Sequence, residues 1–358
     1  MNLSVSIHRR LLAAILALSI VLPSYAAEYF EIAERLVSEE YAELRQQWLD
    51  ANTFEPEQII VIKAIQAFYN NDVEQAESLI EPVLNSAQNP ETMYWAGRIY
   101  GRLASEASMF SAGSLAEKAL DNFKRSVSME PSFVHGQQAL VQYYIRAPFF
   151  AGGSTEKALE TATVLDAISP LEGALARLNI ALSEEDDDQI QNQLAALETI
   201  LSNEQAHTLD SLSGNYFRLA LQYMQLENYE AAQVALNTSM RYNDDAITES
   251  PATTPEQQLN HQERLHARQA ILYQTGRLGV FSETNIKASI TALESFLQGP
   301  KHPNYEHHWG QLRYAQLLFI DGQTHAAIDI IEQLPEVDNE NFEKTLKQLR
   351  KRIRKQSS

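Results

Sequence analysis

Three arginines in the first half of the chain, Arg98, Arg102 and Arg146, are candidates for binding a carboxylate. Arg98 and Arg102 are four residues apart and share a face of any helix that contains both, and Arg146 ends a later helical stretch. A guanidinium group donates two parallel hydrogen bonds to a carboxylate. If the three arginines share a surface, they predict one that binds a carboxylate-bearing peptide. The alternative is that they pair with neighbouring Asp and Glu side chains in a structural network.

A second candidate is the aromatic and glycine-rich stretch at residues 147–154, which we predict to be an inserted turn before a helix. Phe149 and Phe150 would form the rim of a binding surface beside Gly152 and Gly153. Amide groups at the start of a helix can also receive an anion. No lysine and hydroxyl follow the glycines in the order that a phosphate-binding loop requires.

The same turns have a structural interpretation that competes with binding. In it, Phe110, Phe149 and Phe150 fold back over their own turns, and Ser114 and Ser154 are helix N-caps. Ser114 also stands three residues before a glutamate, which is the spacing of a capping box.

The histidines and carboxylates form no recognisable metal or catalytic motif. His302, His307 and His308 lie around a proline turn, and the acidic run at 184–188 lacks the spaced ligands and glycine of a calcium loop. The chain has no cysteine, which excludes disulfides and thiolate metal sites. It also has no nucleophile elbow or cofactor loop. We therefore expect no metal, no cofactor and no enzymatic activity.

The first 26 residues have the features of a secretory signal peptide. Two arginines precede an almost wholly apolar run from Leu11 to Leu22, and the segment closes on small residues at Ala26. The apolar run is too short to span a bilayer, which takes about 20 residues. We expect cleavage after Ala26, a periplasmic location, and no transmembrane segment in the mature chain.

The charge of the chain is strongly acidic and unevenly distributed. Loss of the two leader arginines changes the net charge from −19 to −21. Residues 343–358 carry seven Lys and Arg against one Glu, a net +6, which leaves −27 on residues 27–342. Such a body repels nucleic acid, so we exclude nucleic acid as a partner.

The elements that must position these residues are helices. Apolar residues recur with helical period and no stretch alternates as a strand does. Residues 110–131 nearly repeat as 149–170, from Phe-x-Ala-Gly through Glu-Lys-Ala-Leu to a proline, which is typical of a repeat protein. We predict capping helices over 27–56, repeats over 57–242 with inserted turns near 103–115 and 147–154, a linker at 243–256, helix pairs over 257–340, and a basic C-terminal helix and tail over 341–358.

The predicted helix pairs resemble the tetratricopeptide repeat (TPR) family. The resemblance covers residues 57–340 and implies an all-α, right-handed superhelical solenoid of stacked antiparallel helix hairpins, with about six or seven units. It rests on small and apolar residues at the family's intervals: Gly97 with Tyr100, Ala119 with Phe123 and Pro131, Leu140 with Tyr144, Ala158 with Pro170, Leu219 and Ala220 with Tyr223 and Ala232, and Gly322 with Ala327.

The register of the family implies which residues line the concave face of such a solenoid. They are Tyr94, Arg98, Arg102, Gln138, Gln142 and Arg146. We therefore predict a scaffold or adaptor of the bacterial cell envelope that binds a protein or peptide segment on this face. The alternative is a periplasmic protein that binds a small molecule near the turn from Phe149 to Gly153.

Overall fold

The computed structural model describes residues 42–51, 54–249, 252–300, 302 and 305–356. The predicted signal peptide and most of the predicted N-terminal capping segment lie outside these residues. The α-helices of the described ranges are α1 Ala42–Ala51, α2 Pro56–Tyr69, α3 Val73–Ile80, α4 Pro90–Glu106, α5 Met109–Met129, α6 Val134–Arg146, α7 Thr155–Ile168, α8 Pro170–Ser183, α9 Asp187–Leu201, α10 Leu209–Gln225, α11 Tyr229–Glu249, α12 Pro255–Ser282, α13 Ile286–Gln298, α14 His307–Ile320, α15 Thr324–Glu332 and α16 Glu340–Gln356.

Each helix packs mainly against its neighbour in sequence, which confirms the predicted all-α solenoid of helix hairpins. The extensive pairs are α2 with α3, α4 with α5, α6 with α7, α7 with α8, α10 with α11, α11 with α12, α12 with α13 and α14 with α15. The chain divides into two compact units, unit 1 up to Gln193 and unit 2 from Leu194. No helix in the described ranges is both long enough and apolar enough to cross a bilayer.

In unit 1, local sequence signals set the helix starts and small residues set the hairpin contacts. The Asp72 carboxylate accepts a hydrogen bond from the Gln75 amide and caps α3. A β-carbon placed on Gly97 would lie 2.4 Å from the ring of Phe123, so the absence of a side chain lets α4 and α5 approach closely. The helix α4 also buries Trp95 and Tyr100. A hairpin with this contact buries an apolar face that neither helix could bury alone.

The predicted inserted turn near 103–115 is wrong, because most of these residues are helical. The extra residues lengthen α4 and α5, and the hairpin turns only at Ala107 and Ser108. Ser114 therefore lies inside α5 and is not an N-cap, whereas the Ser154 hydroxyl does cap α7 by accepting from the Lys157 amide at 3.3 Å. Helix extension leaves fewer backbone groups unpaired than a ten-residue loop would, which is its physical advantage.

The predicted linker at 243–256 is shorter than expected. The helix α11 continues to Glu249, because Tyr242, Asn243 and Ala246 are buried against the rest of unit 2 and keep this segment helical. The helix α12 then starts at Pro255, where Thr254 and Gln257 form a capping box.

Unit 2 also uses glycine at its closest helix contact and is closed by the basic helix α16. A β-carbon on Gly276 of α12 would lie 2.2 Å from Leu293 of α13. The helix α16 buries Phe342, Leu346 and Leu349 and exposes its lysines. The helix is therefore amphipathic: its apolar side packs on unit 2 and its cationic side faces solvent.

Candidate functional site

A groove of about 1130 Å³ opens on the surface of unit 1. Residues of α2, α4, α5, α6 and α8 and of the turn at 147–151 line it. Six of the residues predicted for binding lie along this groove: Tyr94, Arg98, Gln138, Gln142, Arg146 and Phe150. The structure therefore brings most of the predicted surface together on one hairpin pair and the turn that follows it.

Arg98 is held in place by an aromatic environment at one end of the groove. Its guanidinium carbon lies 4.2 Å from the ring centroid of Trp95 and 5.3 Å from that of Phe68. It also donates a hydrogen bond to the Tyr69 hydroxyl at 3.2 Å. Cation–π contacts of this kind orient and stabilise a guanidinium without removing its charge. The aromatic rings therefore hold a positive charge at a defined place in the groove.

A polar row on α6 forms one wall of the groove. Gln138, Gln142 and Arg146 are four residues apart in turn and therefore share one face of the helix. The Gln138 side-chain amide donates to the carboxylate of Glu172, which fixes its orientation. Arg146 is exposed and, in the described structure, lies within ion-pair distance of no carboxylate.

The electrostatic character of the groove is opposite to that of the chain. Among the described residues that line it, the side chains with a permanent charge are Arg98 and Arg146, and no Asp or Glu is present. The chain as a whole has a net charge of −19. The groove therefore carries a local excess of positive charge.

Arg102, the third arginine predicted for this surface, does not line the groove. It forms an ion pair with Glu106 and donates to the Asn71 side-chain oxygen at 3.0 Å. For Arg102 the structure therefore shows the alternative considered from the sequence, in which an arginine pairs with a neighbouring acidic side chain. Arg98 and Arg102 lie on one helical face, but only Arg98 lies among the rings of the groove.

The turn at 147–154 is closed by its own backbone hydrogen bonds. The amides of Gly152 and Gly153 donate to the carbonyls of Phe149 and Pro148 at 3.0 and 3.1 Å, and the Ser154 amide donates to the Tyr144 carbonyl at 2.9 Å. These amides are consequently not available to an anion, contrary to the expectation from the sequence. Gly152 and Gly153 shape the turn and do not line the groove.

The two phenylalanines of this turn do not fold back over it. Phe149 is 92% exposed and Phe150 is 86% exposed, which overturns the alternative that they cover the turn. The side chain of Phe110, for which the same alternative was considered, lies outside the described part of the structure. Phe150 borders the groove and Phe149 does not. Two adjacent aromatic side chains with this exposure provide apolar contact area for a partner.

Tyr143 connects the turn to α5 and lines the groove beside Phe123. Its hydroxyl lies 2.7 Å from the Ala151 carbonyl oxygen and 3.0 Å from that of Ala116. Burial raises the pKa of the Tyr143 phenol, and the nearby Tyr144 raises it further, so the group stays neutral. The hydroxyl therefore fixes the position of the exposed turn relative to the helices.

Sequence reasoning did not identify several other groove residues, among them Phe68, His135, Tyr143 and Asn179. His135 could have been found, because it precedes Gln138 by three residues and shares its helical face. Phe68 and Asn179 come from α2 and α8, and only the packing of the hairpins brings them to the groove. In the part of the chain that the structure describes, no group of three or more His, Asp and Glu side chains could hold a metal ion.

The geometry of these hairpins corresponds to that of the tetratricopeptide repeat. Consecutive helix pairs pack side by side, and small residues lie at their closest contacts. The chain has a TPR-like fold. No protein-family model matches its sequence, and comparison with curated protein sequences finds no match.

Solved structures similar to this TPR-like chain include three proteins. TTC0263, a thermophilic TPR protein of Thermus thermophilus, is 19% identical with a TM-score of 0.38, and the match covers 58% of this chain and 98% of that one. The APC/C hetero-tetramer Cut9-Hcn1 is 15% identical with a TM-score of 0.41, and the match covers 95% of this chain and 60% of that one. Acl4, an assembly chaperone of RpL4, is 14% identical with a TM-score of 0.33, and the match covers 85% and 98% of the two chains.

Proposed function

We propose that this TPR-like protein is a non-enzymatic scaffold that binds a carboxylate-bearing segment of a partner protein in the groove of unit 1. The observation that carries the proposal is the composition of the groove: two arginines, no acidic residue among the described lining, and an exposed aromatic rim in an otherwise acidic chain. This combination matches a ligand that presents both a carboxylate and apolar side chains.

The walls of the groove provide separate contacts for the parts of such a segment. Tyr94, Phe123 and Tyr143 supply aromatic surface, Gln138 and Gln142 supply amide groups for a peptide backbone, and the arginines supply positive charge. The groove is open to solvent and slightly exceeds the volume range of about 300–1000 Å³ of small-molecule pockets. Both properties favour an extended polypeptide over an enclosed metabolite.

The energetic centre of the interface is proposed to be Arg146 with Phe150. Arg146 has no carboxylate partner in the described structure and can accept one from the ligand at little cost to the fold. Phe150 is 86% exposed and loses most of that exposure if a segment lies across the groove. Arginine and aromatic side chains of this kind dominate binding energy at protein interfaces.

A peptide-display selection on the purified chain tests the proposal. We expect selected peptides to contain a C-terminal or side-chain carboxylate next to apolar residues. The Arg146→Ala and Phe150→Ala variants should each weaken such a peptide by about tenfold or more, as for interface hot spots. The matched control is Arg102→Ala, which removes an arginine outside the groove and should leave the affinity unchanged.

Two outcomes would contradict the proposal. Equal affinity of a selected peptide and its carboxyl-amidated or Asn/Gln-substituted form would remove the role of the carboxylate. A loss of affinity in Arg102→Ala as large as that in Arg146→Ala would show that the effect is one of general charge and not of the groove.

We also propose that the scaffold acts in the bacterial periplasm. The support is the sequence of residues 1–26, a basic segment followed by a short apolar run and small residues. N-terminal sequencing of the protein from fractionated cells tests this. A mature chain starting near Ala27 in the periplasmic fraction is expected, and an intact N terminus in the cytoplasmic fraction would overturn it.

A further inference from the structure

Two arginines of unit 2 lie around a single phenylalanine ring. The guanidinium carbon of Arg277, on α12, is 5.0 Å from the ring centroid of Phe281, and that of Arg313, on α14, is 5.3 Å from the same centroid. The helices α12 and α14 pack against each other, so the two side chains meet across a helix contact. Two like charges are thereby held close together by the fold.

Arg313 has donors that are incompletely used. It donates to the Gln316 side-chain oxygen at 2.8 Å and lies 5.3 Å from the ring of Trp309. Its Nε atom is buried without an acceptor. Burial lowers the pKa of the Arg313 guanidinium, Tyr273 offsets part of this effect, and the neighbouring Arg277 lowers it further. A guanidinium nevertheless stays protonated in proteins, so the charge persists in an unfavourable environment.

Arg277 is positioned by a buried amide. It donates to the Gln274 side-chain oxygen at 3.2 Å, and the Gln274 nitrogen donates to the Tyr305 hydroxyl at 3.3 Å. Gln274 is 4% exposed, which fixes this chain of hydrogen bonds. Both arginines are thus oriented by neutral groups, since each donates to a glutamine side chain and each contacts the Phe281 ring.

Neither Arg277 nor Arg313 is paired with a carboxylate, whereas the two other arginines of α12 are. Arg264 pairs with Asp210 at 2.7 Å and Arg268 pairs with Asp244 at 2.9 Å. In the described residues no Asp or Glu lies within ion-pair distance of Arg277 or Arg313. The acid nearest in sequence to Phe281, Glu283, is engaged with Arg352 at 3.4 Å.

This arrangement costs free energy unless an anion completes it. Buried charges in proteins are normally paired, and two like charges in partial burial repel each other more strongly than in water. Cation–π contacts compensate only part of that cost. An oxyanion that accepts hydrogen bonds from both guanidinium groups would offset the rest of the cost.

We propose that Arg277 and Arg313 form an oxyanion-binding site in unit 2, which takes a carboxylate or phosphate group of a ligand. The site reaches solvent, since Phe281, whose ring both arginines contact, is 41% exposed and both arginines are half-buried. Guanidinium forks bind either oxyanion by two parallel N–H bonds. Gln274 and Gln316 set the direction of the forks, and the Phe281 ring provides the apolar floor. The site belongs to unit 2 and is independent of the groove in unit 1.

Thermal unfolding of the full chain in sodium phosphate, sodium acetate and sodium chloride at matched ionic strength tests the site. We expect the melting temperature to rise with phosphate or acetate relative to chloride, because a ligand that binds the folded state stabilises it. A rise with phosphate alone that the arginine variants lose identifies a phosphate site, and a rise with acetate that they also lose identifies a carboxylate site; a rise that the variants keep is general stabilisation by the salt. Equal melting temperatures in all three salts would overturn the proposal.

Variants attribute the effect to these two arginines. Arg277→Met and Arg313→Met should lose the rise and should be no less stable in chloride, because each removes one of two repelling charges and keeps most of the side-chain volume. The matched control is Arg146→Met, which removes an arginine of unit 1 and should keep the rise. An undiminished rise in both unit 2 variants would show that the anion binds elsewhere.

A conservative variant and a direct measurement protect the test against misfolding. Arg277→Lys retains the charge but not the planar fork, so the apparent Kd for phosphate measured by titration calorimetry should rise by about tenfold while the far-UV circular dichroism is unchanged. An unchanged Kd in this variant would contradict recognition by a pair of guanidinium forks. If Arg146→Met abolished peptide binding in unit 1 and left phosphate binding intact, the two sites would be shown to be separate.

Discussion

Gly113 and Gly152 occupy equivalent places in the repeated stretches 110–131 and 149–170, yet alanine should change stability in opposite directions at the two positions. Gly113 lies inside α5, and a β-carbon there would meet no atom within 4 Å. Gly152 ends the turn after Phe149 with φ +94°, a conformation that residues with a β-carbon rarely adopt. The same substitution therefore meets open space in one copy and backbone strain in the other.

The magnitudes follow from these two environments. Alanine in place of glycine inside a helix stabilises by about 0.5–1 kcal/mol, so Gly113→Ala should raise the free energy of unfolding by that amount. Alanine in the left-handed region costs about 1–2 kcal/mol. At Gly152 the added carbon would also lie 3.1 Å from Leu120, which adds to the cost. The two variants should differ by about 1.5–3 kcal/mol.

Urea unfolding of the two variants, followed by far-UV circular dichroism, measures this difference. We expect the midpoint to rise for Gly113→Ala and to fall for Gly152→Ala, with the same slope against urea as the parent chain. Destabilisation by Gly113→Ala would show that residues 109–115 form a turn with a special backbone conformation, as the sequence repeat indicates. Stabilisation by Gly152→Ala would refute the left-handed turn.

Three further changes test the packing of unit 2. Burial lowers the pKa of His302 from 6.5 to about 4, so the unfolded state binds the proton first as the pH falls. The free energy of unfolding should therefore decrease between pH 6.5 and pH 4, by at most about 3 kcal/mol. In urea titrations at each pH, His302→Gln should flatten that dependence. Phe342→Ala should cost about 3–5 kcal/mol, because the ring is fully buried, whereas the exposed Lys347→Ala on the same helix should change the urea midpoint little. Arg264→Ala should cost about 1 kcal/mol through its bidentate pair with Asp210, and a double-mutant cycle that gives no coupling would contradict this.

The helices and their order could be predicted from the sequence because their signals are local. Proline at the first turn of α2, α4 and α8, the aspartate before α3, and the threonine and glutamine of the α12 capping box each act within four residues of chain. Helical periodicity reports which face of each helix is apolar. The basic C-terminal helix predicted within residues 341–358 is likewise present, as α16.

Several features depended on contacts between distant residues and could not be predicted. The Phe-x-Ala-Gly motif is a turn at 149–152 but helix at 110–113, because hydrogen bonds within the second copy close it into a turn while the first continues α5. The length of α11 depended on the burial of Asn243 and Ala246. In each case the local sequence is compatible with more than one backbone path, and packing selects one.

The arginines show most clearly which features follow from neighbouring residues along the chain and which depend on the packing of the helices. Neighbouring residues along the chain were enough to predict that Arg98 and Arg146 lie on helices, and the register of the TPR family implied that they share a face. Arg102 pairs with Glu106 one turn further along its own helix, but the packing of the helices was needed to show that Arg102 also reaches Asn71 outside the groove and that Arg277 and Arg313 contact one phenylalanine ring without a carboxylate. The physical reason is that helix formation depends on neighbours along the chain, whereas the partner of a charge depends on which helices pack together.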